Sequence, residues 1–235
     1  MSMTREERRA IIRWITKSVV GVIGYGVILF LAAGRIDWLW GWIFFVAIAL
    51  VMAAHPLILV PRNPGLLAER EKGLRDRRVL AWDKWVAGLG AGVFPVASWV
   101  IAGLDLRFGW TGPISLWLHV AGLCLMLAGY GLFLWAMASN PFFSEGVRIQ
   151  SDRGHEVAEA GPYRYVRHPG YSGAILTHIG TPLMLGSPWA LTAGLAAASL
   201  FVVRTLLEDR YLQEELTGYQ DFTKRTRYRL LPRLW

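Results

Sequence analysis

Five long stretches of this chain carry almost no charge, and this feature constrains the fold more than any other. Four of them are at least 20 residues long: Trp14–Gly34, Trp38–Val60, Trp85–Leu104 and Pro113–Ser139. The fifth, Gly170–Val203, has 34 residues without a charge. About 20 apolar residues in a helix cross the roughly 30 Å hydrocarbon core of a bilayer. The sequence therefore predicts an all-α, polytopic integral membrane helical bundle.

The fifth stretch is too long for one simple crossing. Gly186-Ser187-Pro188 interrupts it with a turn signal. We therefore expect a tight helical hairpin with arms near Tyr171–Leu185 and Trp189–Val203. Each arm is short for a full crossing, so the hairpin is expected to be tilted, sheltered by protein or incompletely spanning. The prediction is about six membrane segments.

The basic residues predict the orientation of this bundle. In a six-segment arrangement, 23 of the 25 Lys and Arg residues fall on one side, and only Arg35 and Arg107 fall on the other. Positive charge marks the cytoplasmic side of membrane proteins, so both termini are expected in the cytoplasm. The same distribution accounts for the net charge of +8. No basic groove on a soluble domain is visible, so no nucleic-acid partner is expected.

Composition and cysteine content narrow the classes further. With 54% hydrophobic and 18% charged residues, the chain differs from an average soluble domain, which has about 25% charged residues. Cys124 is the only cysteine, which excludes an intramolecular disulfide and a cysteine-based zinc site. None of the five histidines forms a ligand set by spacing, so no metal is predicted.

We expect a single membrane domain over 1–235. Within it, 1–139 would supply the N-terminal membrane helices, and 140–235 would supply a loop, the helical hairpin and a C-terminal helix. Residues 140–169 and 204–235 are rich in charged and turn-forming residues, so they are expected to form a cytoplasmic cap. Non-helical backbone at a membrane edge must be sheltered, which predicts a packed lid or a ligand there.

Individual polar residues of the cap have ordinary explanations. Arg204 and Glu208 are spaced i, i+4 and share one helix face, so a plain ion pair is the first interpretation. Arginines near the inner leaflet commonly extend their charged ends to the interface. The combination is more informative than its parts. The chain contains, in order, Asp152-Arg153-Gly154-His155, Gly161-Pro162-Tyr163, Arg167-His168-Pro169-Gly170-Tyr171-Ser172-Gly173, a two-helix hairpin, and Arg204 with Glu208-Asp209.

This ordered set resembles the isoprenylcysteine carboxyl methyltransferase family, within the broader group of membrane phospholipid methyltransferases. The resemblance is strong over about 140–235 and looser from about residue 61, where Asn63-Pro64-Gly65-Leu66-Leu67-Ala68-Glu69-Arg70 and Trp82-Asp83-Lys84 look like bacterial members. Two departures stand out: Asp209 replaces the second Glu that members often carry, and Tyr219 with Phe222 replaces a pair of terminal tyrosines.

The resemblance implies S-adenosyl-L-methionine (SAM) as cofactor, held at the cytoplasmic edge. The residues it implies for cofactor binding are His155, Gly161, Tyr163, Arg167, His168, Pro169, Tyr171, Glu208 and Asp209. Both signs of charge are needed because SAM carries a sulfonium, an ammonium and a carboxylate. Glu208 can pair with the ammonium, and Arg167 or His168 with the carboxylate.

The resemblance also implies methyl transfer to a lipophilic acceptor that reaches the site from the bilayer among membrane lipids. Arg204 and Glu208 are the predicted catalytic residues: Arg204 could orient a carboxylate acceptor, and Glu208 could accept the proton of an amine. An isoprenoid acid, a lipid amine and a hydrophobic thiol all remain open as acceptors.

Two other functions remain open from the sequence. The first is an NADPH-dependent reductase of a lipid double bond, because sterol reductases have loosely similar terminal segments. The second is a non-catalytic membrane protein such as a transporter. Transport is disfavoured because charged residues are almost absent from the middle of the apolar stretches.

Overall fold

The computed structural model describes residues 4–235, and within that range every regular element is helical. The helices are α1 (Arg5–Ala33), α2 (Leu39–Leu59), α3 (Pro64–Lys72), α4 (Ala81–Ala87), α5 (Phe94–Phe108), α6 (Leu116–Ser139), α7 (Pro169–Leu185), α8 (Pro188–Glu215) and α9 (Tyr219–Arg225). A π-helical segment, Gly88–Val93, joins α4 to α5, so Ala81–Phe108 forms one continuous rod. The predicted all-α membrane bundle is confirmed.

Helix boundaries follow local sequence signals. Thr4 caps α1 by accepting a hydrogen bond from the Glu7 amide (3.1 Å), and the Glu7 side chain accepts from the Thr4 amide (2.8 Å). This reciprocal capping box satisfies two amide groups that the first turn leaves without partners. At the other end, Gly34 adopts φ 65°, which glycine reaches without strain.

Five of these described helices are long and apolar enough to cross a membrane: α1, α2, the Ala81–Phe108 rod, α6 and α8. The predicted hairpin is present, because α7 ends at Gly186 (φ 81°) and α8 begins at Pro188. With 17 residues, α7 is short for a crossing. The expectation of about six membrane segments therefore stays a prediction, with α7 as the sixth.

Glycines hold α7 against α6 at very short range. A Cβ atom added to Gly129 would lie 2.5 Å from the Gly173 carbonyl oxygen, and one added to Gly122 would lie 2.3 Å from the Met184 amide nitrogen. Such contacts are possible only for residues without a side chain, as in the small-residue packing of membrane helices. Most of α7 is buried as a result, which explains how a short helix is sheltered from lipid.

The helix α8 extends well beyond the predicted arm, which ended at Val203. It continues to Glu215 and therefore carries Arg204, Glu208 and Asp209 on the same rigid element as the apolar arm. The segment between α6 and α7 contains only two short 3₁₀ turns, Ser151–Arg153 and Gly161–Arg164. Its end is anchored by backbone hydrogen bonds from Arg167 to Tyr228 (2.9 Å) and from His168 to Arg229 (2.9 Å).

A pair of glycines in α6 gives a test of this packing. We expect Gly129→Ala to lower the melting temperature in detergent, because its Cβ would press on the backbone of α7. Overpacking of this kind costs about 1–3 kcal/mol, or roughly 2–10 °C for a chain of this size.

The control is Gly131→Ala, two positions further along the same helix, where a Cβ would have no neighbour within 4 Å. Melting temperature is followed by tryptophan fluorescence. Equal melting temperatures for the two variants would contradict the close approach of α6 and α7.

Candidate functional site

A cavity of about 420 Å³ lies where the 140–168 segment, α7, α8 and α9 meet. Its wall contains most of the residues that the sequence predicted for the site: His155, Tyr163, Arg167, His168, Tyr171, Arg204 and Glu208. Its wall also contains Tyr25 of α1, Phe133 of α6 and Phe201 of α8. One cavity is therefore lined both by polar residues of the cap and by aromatic residues of the membrane helices.

Three predicted residues do not line this cavity: Gly161, Pro169 and Asp209. Gly161 has φ 59°, and a Cβ there would lie 2.2 Å from the Ser139 hydroxyl oxygen. Pro169 is the first residue of α7, a position that suits proline. Both therefore shape the backbone around the cavity. A direct contact of either residue with a cofactor stays a prediction.

Asp209 is the centre of a buried network behind the cavity wall. Its carboxylate accepts from Arg167 Nε (2.7 Å) and Nη2 (2.9 Å), and from Arg229 Nε (2.9 Å). The Tyr219 hydroxyl donates to it at 3.0 Å, and His168 Nε2 lies at 3.2 Å. The carboxylate thereby joins the 140–168 segment, α8, α9 and the C-terminal tail.

Arg167 uses its whole guanidinium in this network. Besides the two bonds to Asp209, its Nη1 donates to the backbone carbonyls of Thr226 (3.0 Å) and Arg227 (2.7 Å). Bonds to Asp209 raise the pKa of Arg167 even though burial acts to lower it. Arg167 therefore fastens the tail against the cavity, and its predicted contact with a cofactor carboxylate would come in addition to this arrangement.

Arg204 forms a second buried ion pair, with Asp83 of α4. Its Nε and Nη2 donate to the two Asp83 oxygens at 2.6 Å and 2.9 Å, and Nη2 also donates to the Glu145 carbonyl oxygen at 2.7 Å. The guanidinium lies over the Tyr171 ring, 5.1 Å from its centroid. No hydrogen bond within 4–235 involves Nη1, which is therefore the nitrogen with free donor capacity toward the cavity.

Glu208 differs sharply from its neighbour Asp209. Its carboxylate accepts a hydrogen bond from the Tyr171 hydroxyl, and the ion pairs formed by residues 4–235 do not include it. It lines the cavity, whereas Asp209 does not. The predicted i, i+4 ion pair between Arg204 and Glu208 is also absent from this part of the chain, because Arg204 pairs with Asp83. Glu208 is thus an anionic group available to a bound cation.

His155 reaches the cavity as a neutral imidazole. Its Nδ1 accepts from the Gln150 amide at 3.3 Å, and its ring packs on Phe142 with centroids 4.6 Å apart. Burial, followed by the charges of Arg153 and Arg148, lowers the pKa of His155 to about 4. At neutral pH it can therefore offer a hydrogen bond to a ligand without adding positive charge.

Sequence reasoning missed three polar residues of this region: Arg70, Asp83 and Glu145. Arg70 and Glu145 line the cavity, and Asp83 sits behind it, fully buried against Arg204. The one available signal was the pair of motifs around Arg70 and Asp83, which look like bacterial members of the family. Glu145 carried no signal of its own.

Comparisons with known proteins agree with the motifs. A sequence model of the isoprenylcysteine carboxyl methyltransferase (ICMT) family matches residues 121–214. Similar proteins include protein-S-isoprenylcysteine O-methyltransferase B of Arabidopsis thaliana (28% identity, 42% of this chain and 51% of that one). Another is protein-S-isoprenylcysteine O-methyltransferase of Rattus norvegicus (29% identity, 57% of this chain and 48% of that one). The matched stretch spans about half the length of these curated relatives.

A solved structure extends the likeness to nearly the whole chain. The structure of the eukaryotic intramembrane Ras methyltransferase ICMT is similar over 95% of this chain and 96% of that chain. The TM-score is 0.54 and the sequence identity 19%, so this likeness concerns the fold. Together the comparisons confirm the resemblance to the ICMT family and the integral membrane fold that it implied.

The low pKa of His155 predicts a pH dependence of stability. The native pKa is about 4, below the ordinary 6.5, so between these values the unfolded chain binds more protons than the native one. We therefore expect His155 to destabilise the fold progressively as the pH falls from about 6.5 toward 4.

The measurement is the melting temperature of the wild type minus that of His155→Asn, recorded from pH 7.5 to pH 5. Asparagine keeps an acceptor for the Gln150 amide and does not titrate, while the carboxylates common to both proteins cancel. The difference should fall as the pH is lowered. A difference that is independent of pH would contradict the neutral, partly buried imidazole.

Proposed function

We propose that this chain is a SAM-dependent membrane methyltransferase that methylates the carboxylate of a lipophilic, isoprenylcysteine-like acceptor. The observation that carries the proposal is one cavity lined both by polar residues of the cap and by aromatic residues of the membrane helices. A water-soluble cofactor and a lipid tail need such a cavity, because they must meet although they arrive from different phases. The curated relatives are named as isoprenylcysteine O-methyltransferases, which supports an oxygen as the methylated atom.

The polar residues of the cavity wall suit a cofactor that carries both positive and negative groups. The cavity volume of about 420 Å³ falls in the range of roughly 300–1,000 Å³ that is common for small-molecule sites. Glu208 offers a carboxylate without a competing cation, which suits the ammonium of SAM. Tyr163 and His155 offer aromatic faces and neutral hydrogen-bonding groups, and burial raises the pKa of Tyr163, so its phenol stays protonated.

SAM would supply an electrophilic methyl group on a positively charged sulfur. The residues of this chain would align the acceptor with that group and exclude water, since alignment gives most of the rate gain in a direct transfer. Methylation of a carboxylate gives a neutral ester and releases no proton. A carboxylate acceptor therefore requires a cation for its orientation and no general base.

Arg204 is suited to that orienting role. Its two bonds to Asp83 fix the plane of the guanidinium, and Nη1 remains to donate toward the cavity. An amine acceptor would instead need Glu208 as a base, but the Tyr171 hydroxyl already donates to the Glu208 carboxylate. In the proposed site the same carboxylate also pairs with the ammonium of SAM, so it is already occupied. This comparison favours the carboxylate acceptor over the lipid amine.

The proposed arrangement also concerns topology. We place both termini and the cofactor end of the cavity in the cytoplasm, because the basic residues concentrate on that side of the predicted segments. The acceptor would arrive laterally from the bilayer, with its apolar tail toward Tyr25, Phe133 and Phe201. The whole of 1–235 would act as one membrane methyltransferase domain.

Glu208→Gln tests the cofactor site. We expect the affinity for SAM to fall roughly 10- to 100-fold, since a charge-assisted hydrogen bond of about 1.5–3 kcal/mol is lost. Glutamine keeps an oxygen that can accept from Tyr171, so the local packing should persist.

Calorimetry with SAM and with NADPH measures the effect in detergent. The matched control is Glu214→Gln on the same helix, where the side chain is 64% exposed and 3.9 Å from Arg210. Unchanged SAM affinity in folded Glu208→Gln protein would remove Glu208 from the site. Binding of NADPH by the wild type in place of SAM would instead favour a membrane reductase.

Arg204→Lys tests the orientation of the acceptor. Lysine keeps the charge but loses the planar, two-pronged contact with Asp83. We expect the turnover number to fall by about 10- to 100-fold while the SAM dissociation constant changes little, because misplacement of a reacting group has effects of that order.

Arg167→Lys provides the contrast, because Arg167 fastens the tail and the 140–168 segment to Asp209. That variant should weaken SAM binding and lower the melting temperature. Loss of SAM binding in Arg204→Lys with an unchanged turnover number at saturating SAM would reverse the two assignments.

A further inference from the structure

Arg70 of α3 is a cation in the cavity wall, and the proposed reaction assigns it no role. Its side chain is only 12% exposed, and its Nε is buried without a hydrogen-bond partner in the described chain. Its nearest acid is Glu145, whose Oε1 lies 3.4 Å from Nη2, and its guanidinium lies 5.8 Å from the centroid of the Phe143 ring. Arg70 is thus a largely buried charge that is incompletely satisfied.

The other buried arginines of the region are better compensated. Arg167 and Arg204 each make two-pronged contacts with a buried aspartate. The Nε of Arg148 also lacks a hydrogen-bond partner among residues 4–235, but Arg148 faces two acids: it donates to Glu69 at 2.7 Å, and Asp76 lies 3.7 Å from its Nε. By contrast, the carboxylate beside Arg70 belongs to a side chain that is 34% exposed. Burial, more than any other factor, lowers the pKa of the Arg70 guanidinium.

A buried cation without full compensation destabilises a protein unless an anion meets it. The neighbouring Leu66 and Leu67 are fully buried in an apolar cluster that also contains Ile11 and Trp14 of α1. This cluster anchors α3, and with it Arg70, to the N-terminal part of the chain. Arg70 is presented to the cavity by the N-terminal half of the chain, whereas the predicted cofactor residues come from the C-terminal half.

We infer that Arg70 binds the carboxylate of the lipid acceptor and thereby selects an acid over its neutral derivatives. The inference rests on the proposed function and assigns a specificity-determining residue within it. Arg70 would hold one oxygen of the carboxylate, and Arg204, with its charge already balanced by Asp83, would fix the direction of the other. Since methylation removes the negative charge, the ester product would lose this contact and dissociate more readily.

Direct binding in the absence of SAM tests the inference. The probes are N-acetyl-S-farnesyl-L-cysteine, its methyl ester and its carboxamide, titrated against detergent-solubilised full-length protein by tryptophan fluorescence. The wild type should bind the acid about 10- to 100-fold more tightly than either neutral probe, as expected for hydrogen bonds to a charged group worth about 1.5–3 kcal/mol. In Arg70→Gln this ratio should fall by about 10-fold, since Arg204 remains to contact the acid, while the SAM affinity stays within twofold of the wild type.

Two further variants keep the result interpretable. Arg70→Lys retains the charge and should show a preference for the acid probe between those of the wild type and Arg70→Gln. This variant also tests the inference if Arg70→Gln does not fold. Glu145→Gln removes the acid that competes for Arg70, so it should raise the affinity for the acid probe. The control is Lys72→Gln on the same helix, because the Lys72 side chain is 44% exposed and, among residues 4–235, bonds only to Glu69.

Two outcomes would overturn the inference. If the acid-to-amide ratio in folded Arg70 variants equals that of the wild type, Arg70 does not recognise the acceptor. If those variants lose SAM affinity while keeping the ratio, Arg70 serves the cofactor carboxylate instead. Failure of the proposed function looks different, because then the wild type itself would bind neither SAM nor the acid probe.

Discussion

The fold around the cavity depends on one buried carboxylate, that of Asp209. Two arginines, a tyrosine and a histidine from three segments converge on it. None of these segments is long enough to be stable alone: α9 has seven residues, and the 140–168 segment has no α-helix. Buried charges are tolerated only when they are paired and hydrogen-bonded, so the network either forms as a whole or not at all. The cap is therefore held together by this network and by an apolar cluster that includes Tyr163, Tyr219 and Phe222.

The ion pair between Arg204 and Asp83 has a different consequence. It joins α8 to α4 at the edge of the predicted membrane region, and so connects the two halves of the chain where the cavity opens between them. The glycine contacts between α6 and α7 act on the other side by fixing both ends of the 140–168 segment. The cavity is thus bounded by elements that are rigid for independent reasons, and the side chains in its wall keep defined positions.

Sequence patterns predicted those features that depend on short-range geometry. Uncharged stretches placed the membrane helices, the Gly186-Ser187-Pro188 turn gave the hairpin, and the i, i+4 spacing put Arg204 and Glu208 on one face toward the cavity. The partners of these residues were not predictable in the same way. Asp83 lies 121 positions before Arg204, and Arg229 lies 20 positions after Asp209, so each pair exists only through tertiary packing. For the same reason, the sequence showed a motif that ends at Arg70 but did not reveal a role for that residue.

The adjacent acids Glu208 and Asp209 occupy two different environments, although they are consecutive in sequence. Successive residues on an α-helix point about 100° apart, so one side chain can face a cavity while the next faces the protein interior. In this chain the two consecutive acids therefore combine one group that lines the cavity with one that organises the fold. Among related chains, the residue at position 208 should vary with the charge of the ligand. The residue at position 209 should vary in side-chain length, within the range that its bonds to the two arginines allow. The shorter aspartate at position 209 of this chain is a change of the second kind.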